Sequence, residues 1–177
     1  MPSTGRVLVG VVGLPGAGKS TLVARLQQSF GLRRVCRDAI RRAMFPDCRW
    51  SPTEKRAAFR ASLLAAEVNL ALGCSTVFDG MTLARERERD KAAAVARAAG
   101  ARWVVLWLDL PAALARARIA ADRDAHPAGD RTPELVDAVA ERFEPPSGAA
   151  WIDAALDADA VLAQAHAVVQ EAITRDA

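Results

Sequence analysis

The sequence holds no tyrosine, one asparagine, two histidines, three cysteines and three lysines in 177 residues. Cys36, Cys48 and Cys74 are odd in number and lack C-x-x-C spacing, while His126 and His166 stand far apart, so neither a disulfide framework nor a zinc site is indicated. No stretch reaches ~18 uninterrupted apolar residues. The start, Met1-Pro2-Ser3-Thr4-Gly5-Arg6, lacks a basic region leading into a long apolar run, so the expectation is a cytoplasmic protein with no membrane partner. With only Lys19, Lys55 and Lys91 as lysines, the cationic charge is nearly all arginine, whose planar fork pairs with phosphate bidentately. A net charge of +3 is too mild to establish nucleic-acid binding, and no dense basic stripe with interleaved aromatics runs along the chain. Oligomeric state leaves no mark on the sequence.

The remaining composition, 51% hydrophobic and 25% charged, fits a single domain spanning 1–177 that buries roughly 70% of its unfolded surface. Val7–Val12 is a continuous apolar run, the pattern of a strand covered on both faces. A glycine-rich turn follows, then helical spacing of Leu22, Val23 and Leu26. A short strand is expected over Arg33–Cys36, with Asp38 capping a helix through Phe45. Ser51-Pro52-Thr53-Glu54 is a capping box opening a helix to about Leu72. Further strands are expected at Ser75–Asp79, Arg102–Leu108 and Trp151–Asp153. Helices are expected over Leu83–Ala99, Leu114–Ala121, Pro133–Phe143 and Asp159–Ile173, with a polar loop over Asp124–Thr132. Strands alternating with helices imply an α/β fold, a central parallel sheet of about five strands between helical layers.

Gly13-Leu14-Pro15-Gly16-Ala17-Gly18-Lys19-Ser20 fits G-x-x-x-x-G-K-[ST], the Walker A pattern, between an apolar strand and a helix. Backbone N–H groups from Gly13, Pro15's neighbours, Gly16, Ala17, Gly18, Lys19, Ser20 and Thr21 converge with the helix's positive end on the phosphates of a nucleotide. Lys19 then reaches the β- and γ-phosphates, and the Ser20 hydroxyl is a ligand for Mg²⁺. No N-K-x-D element accompanies the loop, since Leu70 follows the lone Asn69. The candidate strand ends Asp79-Gly80 and Asp109-Leu110 lack the glutamate that would activate water. These absences exclude a guanine-nucleotide switch and a large motor ATPase, and leave a compact kinase.

The stretches GLPGAGKST (Gly13–Thr21), CRDAIRR (Cys36–Arg42), VFDGMTL (Val77–Leu83), LDLP (Leu108–Pro111) and FEPP (Phe143–Pro146) occur in one order. That series resembles the polynucleotide-kinase-like branch of P-loop kinases, which includes small kinases and hydroxyl phosphotransferases acting on antibiotics. The resemblance implies a P-loop NTPase three-layer sandwich with a helical lid at about 115–133. It implies Asp38 as the catalytic aspartate, Arg41 on the acceptor side or against the transferred phosphate, and Asp79 near Mg²⁺ and Arg41. Arg118 and Arg123 fall where the lid covers the nucleotide and are the expected catalytic lid arginines. The implied activity is ATP- and Mg²⁺-dependent transfer of the γ-phosphoryl to a hydroxyl of a small molecule, a nucleoside or an antibiotic. The alternatives are a polynucleotide 5′-hydroxyl kinase, whose acceptor is nucleic acid, and a nucleotide-binding regulatory module.

Blander readings apply elsewhere. Asp38 could serve as a simple helix N-cap. Trp103 and Trp107, four apart on a strand, read as packing residues. Arg116 and the run Arg85–Asp90 read as solvated helix faces. Arg33, Arg34, Arg37, Arg41 and Arg42 are expected to cluster around the acceptor, with Arg42 solvated. Trp50 sits in the loop expected to border the acceptor pocket, and His126 and Cys36 receive no role.

Overall fold

A computed structural model describes residues 5–121 and 132–175. In chain order its elements are β1 (Val7–Val12), α1 (Lys19–Phe30), β2 (Arg33–Cys36), α2 (Arg37–Met44), α3 (Pro52–Ala71), β3 (Thr76–Asp79), α4 (Glu86–Ala98), β4 (Arg102–Asp109), α5 (Ala112–Ala121), α6 (Pro133–Ala140), β5 (Ala150–Asp153) and α7 (Ala158–Thr174). The strands form one parallel sheet in the order β2-β3-β1-β4-β5, with Val9 of β1 opposite Val77 on one side and Val104 on the other. This is the expected α/β fold.

Alternation along β1 divides the core. Val7, Val9 and Val11 face a layer containing Leu22 and Leu26 of α1 and Val169 of α7. Leu8 and Val12 face the opposite layer, with Ala66 and Leu70 of α3 and Ala92 and Ala96 of α4. Every residue of β1 is buried, as its unbroken apolar run requires. Gly10 sits where Trp103 crosses the strand: a Cβ there would lie 2.2 Å from Cη2 of that indole. Trp103 also packs edge-on against Phe78 and Trp107 tilts against Phe143, so both are packing residues as expected.

Helix starts differ from expectation at α2, at α4 and at α5, which begins at Ala112 rather than Leu114. The N-cap position of α2 is Cys36, and Asp38 lies inside the first turn, so Asp38 does not cap the helix. α4 begins at Glu86 rather than Leu83, because Leu83 turns into the core with φ 48° and its carbonyl accepts a 2.8 Å hydrogen bond from buried Arg89. α6 ends at Ala140, short of Phe143. The capping box of α3 forms as written in the sequence: Glu54 N–H donates to Ser51 Oγ (3.2 Å) and Ser51 N–H to Glu54 Oε2 (2.7 Å). Arg123, His126 and most of the expected loop at 124–132 lie outside the described residues.

Candidate active site

Parallel strands deliver their following loops to one edge of the sheet, and three such loops meet here: those after β1, β2 and β3. The loop after β1 carries Gly13 to Ser20 into α1. Its helix begins at Gly18 with no side-chain cap and no acidic residue in the first turn, so its positive end faces outward uncompensated. At Gly16, φ is 87° and a Cβ would meet the Ala115 carbonyl oxygen at 2.7 Å, so the loop holds only glycine there. Lys19 Nζ donates to the carbonyls of Gly13 (2.9 Å) and Leu14 (2.7 Å), folding over the loop. An uncapped helix start, a glycine cradle and a lysine over it are what a polyphosphate requires.

Behind the loop, Ser20 Oγ donates to Asp79 Oδ1 at 2.8 Å. The Asp79 side chain is almost wholly buried, and its other oxygen accepts from Arg34 Nε (2.8 Å) and Arg34 Nη2. Burial lowers the pKa of the Arg34 guanidinium, but Asp79 more than offsets this and leaves it raised. The arginine bonded to Asp79 is therefore Arg34, which leaves the expected acceptor cluster. A hydroxyl beside a carboxylate is a hard-oxygen pair suited to Mg²⁺. No group of three or more His, Cys, Asp or Glu side chains that could hold a metal occurs among the described residues.

The loop after β2 enters α2 at once and places Asp38 against the loop after β3. Gly80 makes this possible: its φ is 68°, and a Cβ on it would stand 3.0 Å from both the amide nitrogen and Oδ2 of Asp38. Arg41 Nη2, one helical turn on, donates to Asp38 Oδ1 at 2.6 Å. Arg41 is 1% exposed, its guanidinium carbon lies 3.8 Å from the centroid of the Trp50 ring, and its Nε and Nη1 have no hydrogen-bond partner among the described residues. Trp50 holds φ at 59°, an uncommon backbone state for a bulky residue. Glu54 fixes it there by accepting from the N–H groups on either side of it, Arg49 (to Oε1, 3.1 Å) and Ser51.

A cavity of about 660 Å³ joins these parts, lined by Gly16, Gly18, Lys19, Ser20 and Thr21 of the loop and by Asp38, Arg41 and Trp50. Its far wall comes from α3 and α4, through Lys55, Arg56 and Phe59, then Arg85, Arg87 and Glu88. That run in α4 is thus only partly a solvated face. A second cavity of about 200 Å³ lies on the other side of the loop, where Gly18, Thr21 and Arg25 meet Arg118 and Leu156. Arg116 is engaged by Asp137 at 2.5 Å on the surface. The close approach of Gly80 to Asp38, the pairing of Arg34 with Asp79 and the place of the α3–α4 cations in the cavity wall are the parts sequence reading missed. Only the Asp79-Gly80 turn left a local signal.

Residues 8–146 match the family described as AAA domain, which covers most of the chain and every loop named above. The chain belongs to the AAA domain family. No curated protein matches it significantly. Its fold is that of small kinases of the same length. A provisionally assigned kinase from Chloroflexus aurantiacus is 20% identical with TM-score 0.74, over 96% of this chain and 98% of that one. A gluconokinase from Sinorhizobium meliloti is 19% identical with TM-score 0.68, over 97% and 95%. The Mycobacterium tuberculosis APS kinase CysC, in complex with AMPPNP and APS, is 21% identical with TM-score 0.65, over 96% and 98%. No described helix is long and apolar enough to cross a membrane.

Proposed function

We propose that this member of the family is an ATP- and Mg²⁺-dependent phosphotransferase whose acceptor is a hydroxyl on a small molecule. The observation that carries the reading is one cavity shared by the Lys19–Ser20 end of the phosphate loop and by Asp38 with its partner Arg41. That carboxylate faces the nucleotide loop from inside the first turn of α2, away from the N-cap position, and Arg41 holds it there. The kinase neighbours, one of them in complex with AMPPNP, support the donor assignment.

The residues divide the work. The loop amides and Lys19 bind the donor's phosphates and hold the γ-phosphorus toward the cavity. Ser20, and Asp79 behind it, would hold Mg²⁺, which would supply charge neutralisation for the donor's phosphates. Asp38 orients the acceptor hydroxyl in line and takes its proton as the new oxygen–phosphorus bond forms and the bond to the ADP oxygen breaks. Arg41 fixes the direction of that carboxylate. Arg118, in the second cavity beyond Thr21, meets the donor from its nucleoside side. A nucleoside or antibiotic-like acceptor fits the volume, since small-molecule sites run from about 300 to 1,000 Å³.

The test is incubation with Mg²⁺ and γ-labelled ATP against nucleosides, hydroxyl-bearing antibiotics, phosphorylated and carboxylated hydroxyl compounds, and a 5′-hydroxyl oligonucleotide, with Asp38→Asn as control. Label on a small molecule that disappears in the variant supports the reading. Label on the oligonucleotide alone makes the chain a polynucleotide 5′-hydroxyl kinase. No acceptor-dependent transfer despite ATP binding makes it a regulatory module.

A further inference from the structure

Among the described residues, charge in the larger cavity is far out of balance: eight cationic side chains line it against two carboxylates, Asp38 and Glu88. Lys19 belongs to the phosphate loop and Arg41 to Asp38, and Glu88 also accepts the Arg85 N–H at 3.3 Å. The imbalance is concentrated on the layer of helices opposite α1. Lys55 and Arg56 lie at the start of α3, Arg85 occupies the N-cap position of α4, and Arg87 follows in its first turn. Cations are disfavoured at helix starts, where the backbone already presents its positive end. Arg85 makes no side-chain cap, whereas Ser51 at the equivalent place in α3 does. Arg85 and Arg87 are therefore held where helix electrostatics opposes them, and of the acidic residues in the two first turns, Glu54, Glu86 and Glu88, only Glu88 lines the cavity among the described residues.

A second observation points the same way. Arg41 lines this cavity almost fully buried, with Nε and Nη1 lacking any hydrogen-bond partner among the described residues. Buried donors of this kind are normally satisfied, and an anionic oxygen in the cavity would satisfy them.

We propose that the acceptor carries a compact anionic group, a phosphate or carboxylate, besides its hydroxyl, and that Lys55, Arg56, Arg85 and Arg87 bind that group while Asp38 faces the hydroxyl. This rests on the phosphotransferase reading and narrows its acceptor from neutral nucleosides and cationic antibiotics to small hydroxyl-bearing anions. A nucleic-acid strand also carries phosphates, but strand binding is built on successive stacking aromatics along a groove. Here Trp50 turns one face to Arg41.

The experiment is calorimetric titration of the full chain, with Mg²⁺ and AMPPNP present, using matched pairs: cytidine and cytidine 3′-monophosphate, glycerol and glycerol 2-phosphate, glucose and gluconate. At least one anion should bind roughly tenfold or more tightly than its neutral partner, the scale of one charge-assisted hydrogen bond. That ratio should fall toward one in Arg85→Gln/Arg87→Gln and in Lys55→Gln/Arg56→Gln, both checked for folding by circular dichroism. Two double variants on separate helices keep the test open if one misfolds. No preference for any anion, or a preference untouched in both variants, overturns the proposal, as does a 5′-hydroxyl oligonucleotide bound more tightly than every small anion. Transfer of label is scored separately. An intact affinity ratio without transfer sinks the phosphotransferase reading and leaves the anion site standing, and transfer to neutral members alone does the reverse.

Discussion

Arg41 has given up nearly all contact with water for one carboxylate and one indole face. Removing one member of such a buried pair costs about 3–5 kcal/mol when the remaining charge is left without compensation, and the low end applies because the Asp38 side chain is 21% exposed. Asp38→Ala and Asp38→Asn therefore separate two roles. The asparagine keeps an acceptor for Arg41 though not its charge, and should cost less stability than the alanine, yet lose about 10²–10⁴-fold in phosphoryl transfer because it takes no proton. Its AMPPNP affinity should not change. The alanine should lose transfer equally and also unfold at lower urea. Transfer surviving in Asp38→Asn would reduce Asp38 to a structural partner of Arg41. Gly80 tests the same contact from the other side. Gly80→Ala forces a residue with a side chain to φ 68° and pushes its Cβ against Asp38. The left-handed backbone alone costs roughly 1–2 kcal/mol, and displacement of Asp38 should cut transfer more than tenfold while AMPPNP still binds, measured by single-turnover labelling. Neither role was legible in the sequence beyond the resemblance. R-D-x-x-R gave the spacing of Asp38 and Arg41, but that Gly80 is the floor under Asp38, and that Arg34 holds Asp79, depends on how β2 and β3 lie side by side, with Cys36 opposite Asp79.

Elements were readable where their signals are local and unreadable where a distant side chain decides. Ser51-Pro52-Thr53-Glu54 marked the start of α3 because a capping box closes within four residues. The start of α4 was misplaced because Leu83 and Arg89 are drawn inward by the core, which no spacing of charges in Arg85–Asp90 reveals. The same box does more than start a helix. Glu54 accepts from the N–H groups on both sides of Trp50, and those bonds, Arg49 first and Ser51 next, hold its carboxyl below the ordinary value of 4.5 against a smaller opposing effect of burial. A lowered folded-state pKa contributes stability that is present above the unfolded value and is lost as pH falls through the folded one. Urea midpoints of the wild type and Glu54→Gln should thus differ at pH 7, with the wild type higher. The gap should close as pH drops below the 4.5 of a free carboxyl. A gap that persists at acid pH would show that the geometry of the box, not the charge of Glu54, supports Trp50. The anion preference of the cavity should also weaken in Glu54→Gln, since Trp50 would no longer be fixed over Arg41.

At the scale of the whole molecule, the sheet separates two tasks. The layer of α1 and α7 carries the phosphate loop and the smaller cavity with Arg118, while α3 and the start of α4 carry four of the cations of the larger one. The two sides meet at the phosphate loop, where Gly18 and Thr21 line both cavities and Lys19, Ser20 and Asp38 line the larger one. Substitutions should sort accordingly. AMPPNP with Mg²⁺ at about 100 times its Kd stabilises a protein by about 2.7 kcal/mol, a rise in Tm of about 5–10 °C for a chain of this length. Arg118→Gln, if it loses one charge-assisted contact to the donor and so about tenfold in affinity, should give up about half of that rise at the same AMPPNP concentration. Lys55→Gln/Arg56→Gln should keep all of it, because its cations face the other reactant. A Tm rise reduced equally in both variants would mean that nucleotide and acceptor draw on one continuous field of positive charge rather than two separate walls. The larger cavity would then be an extension of the phosphate site, and its eight cations would be explained by the donor alone.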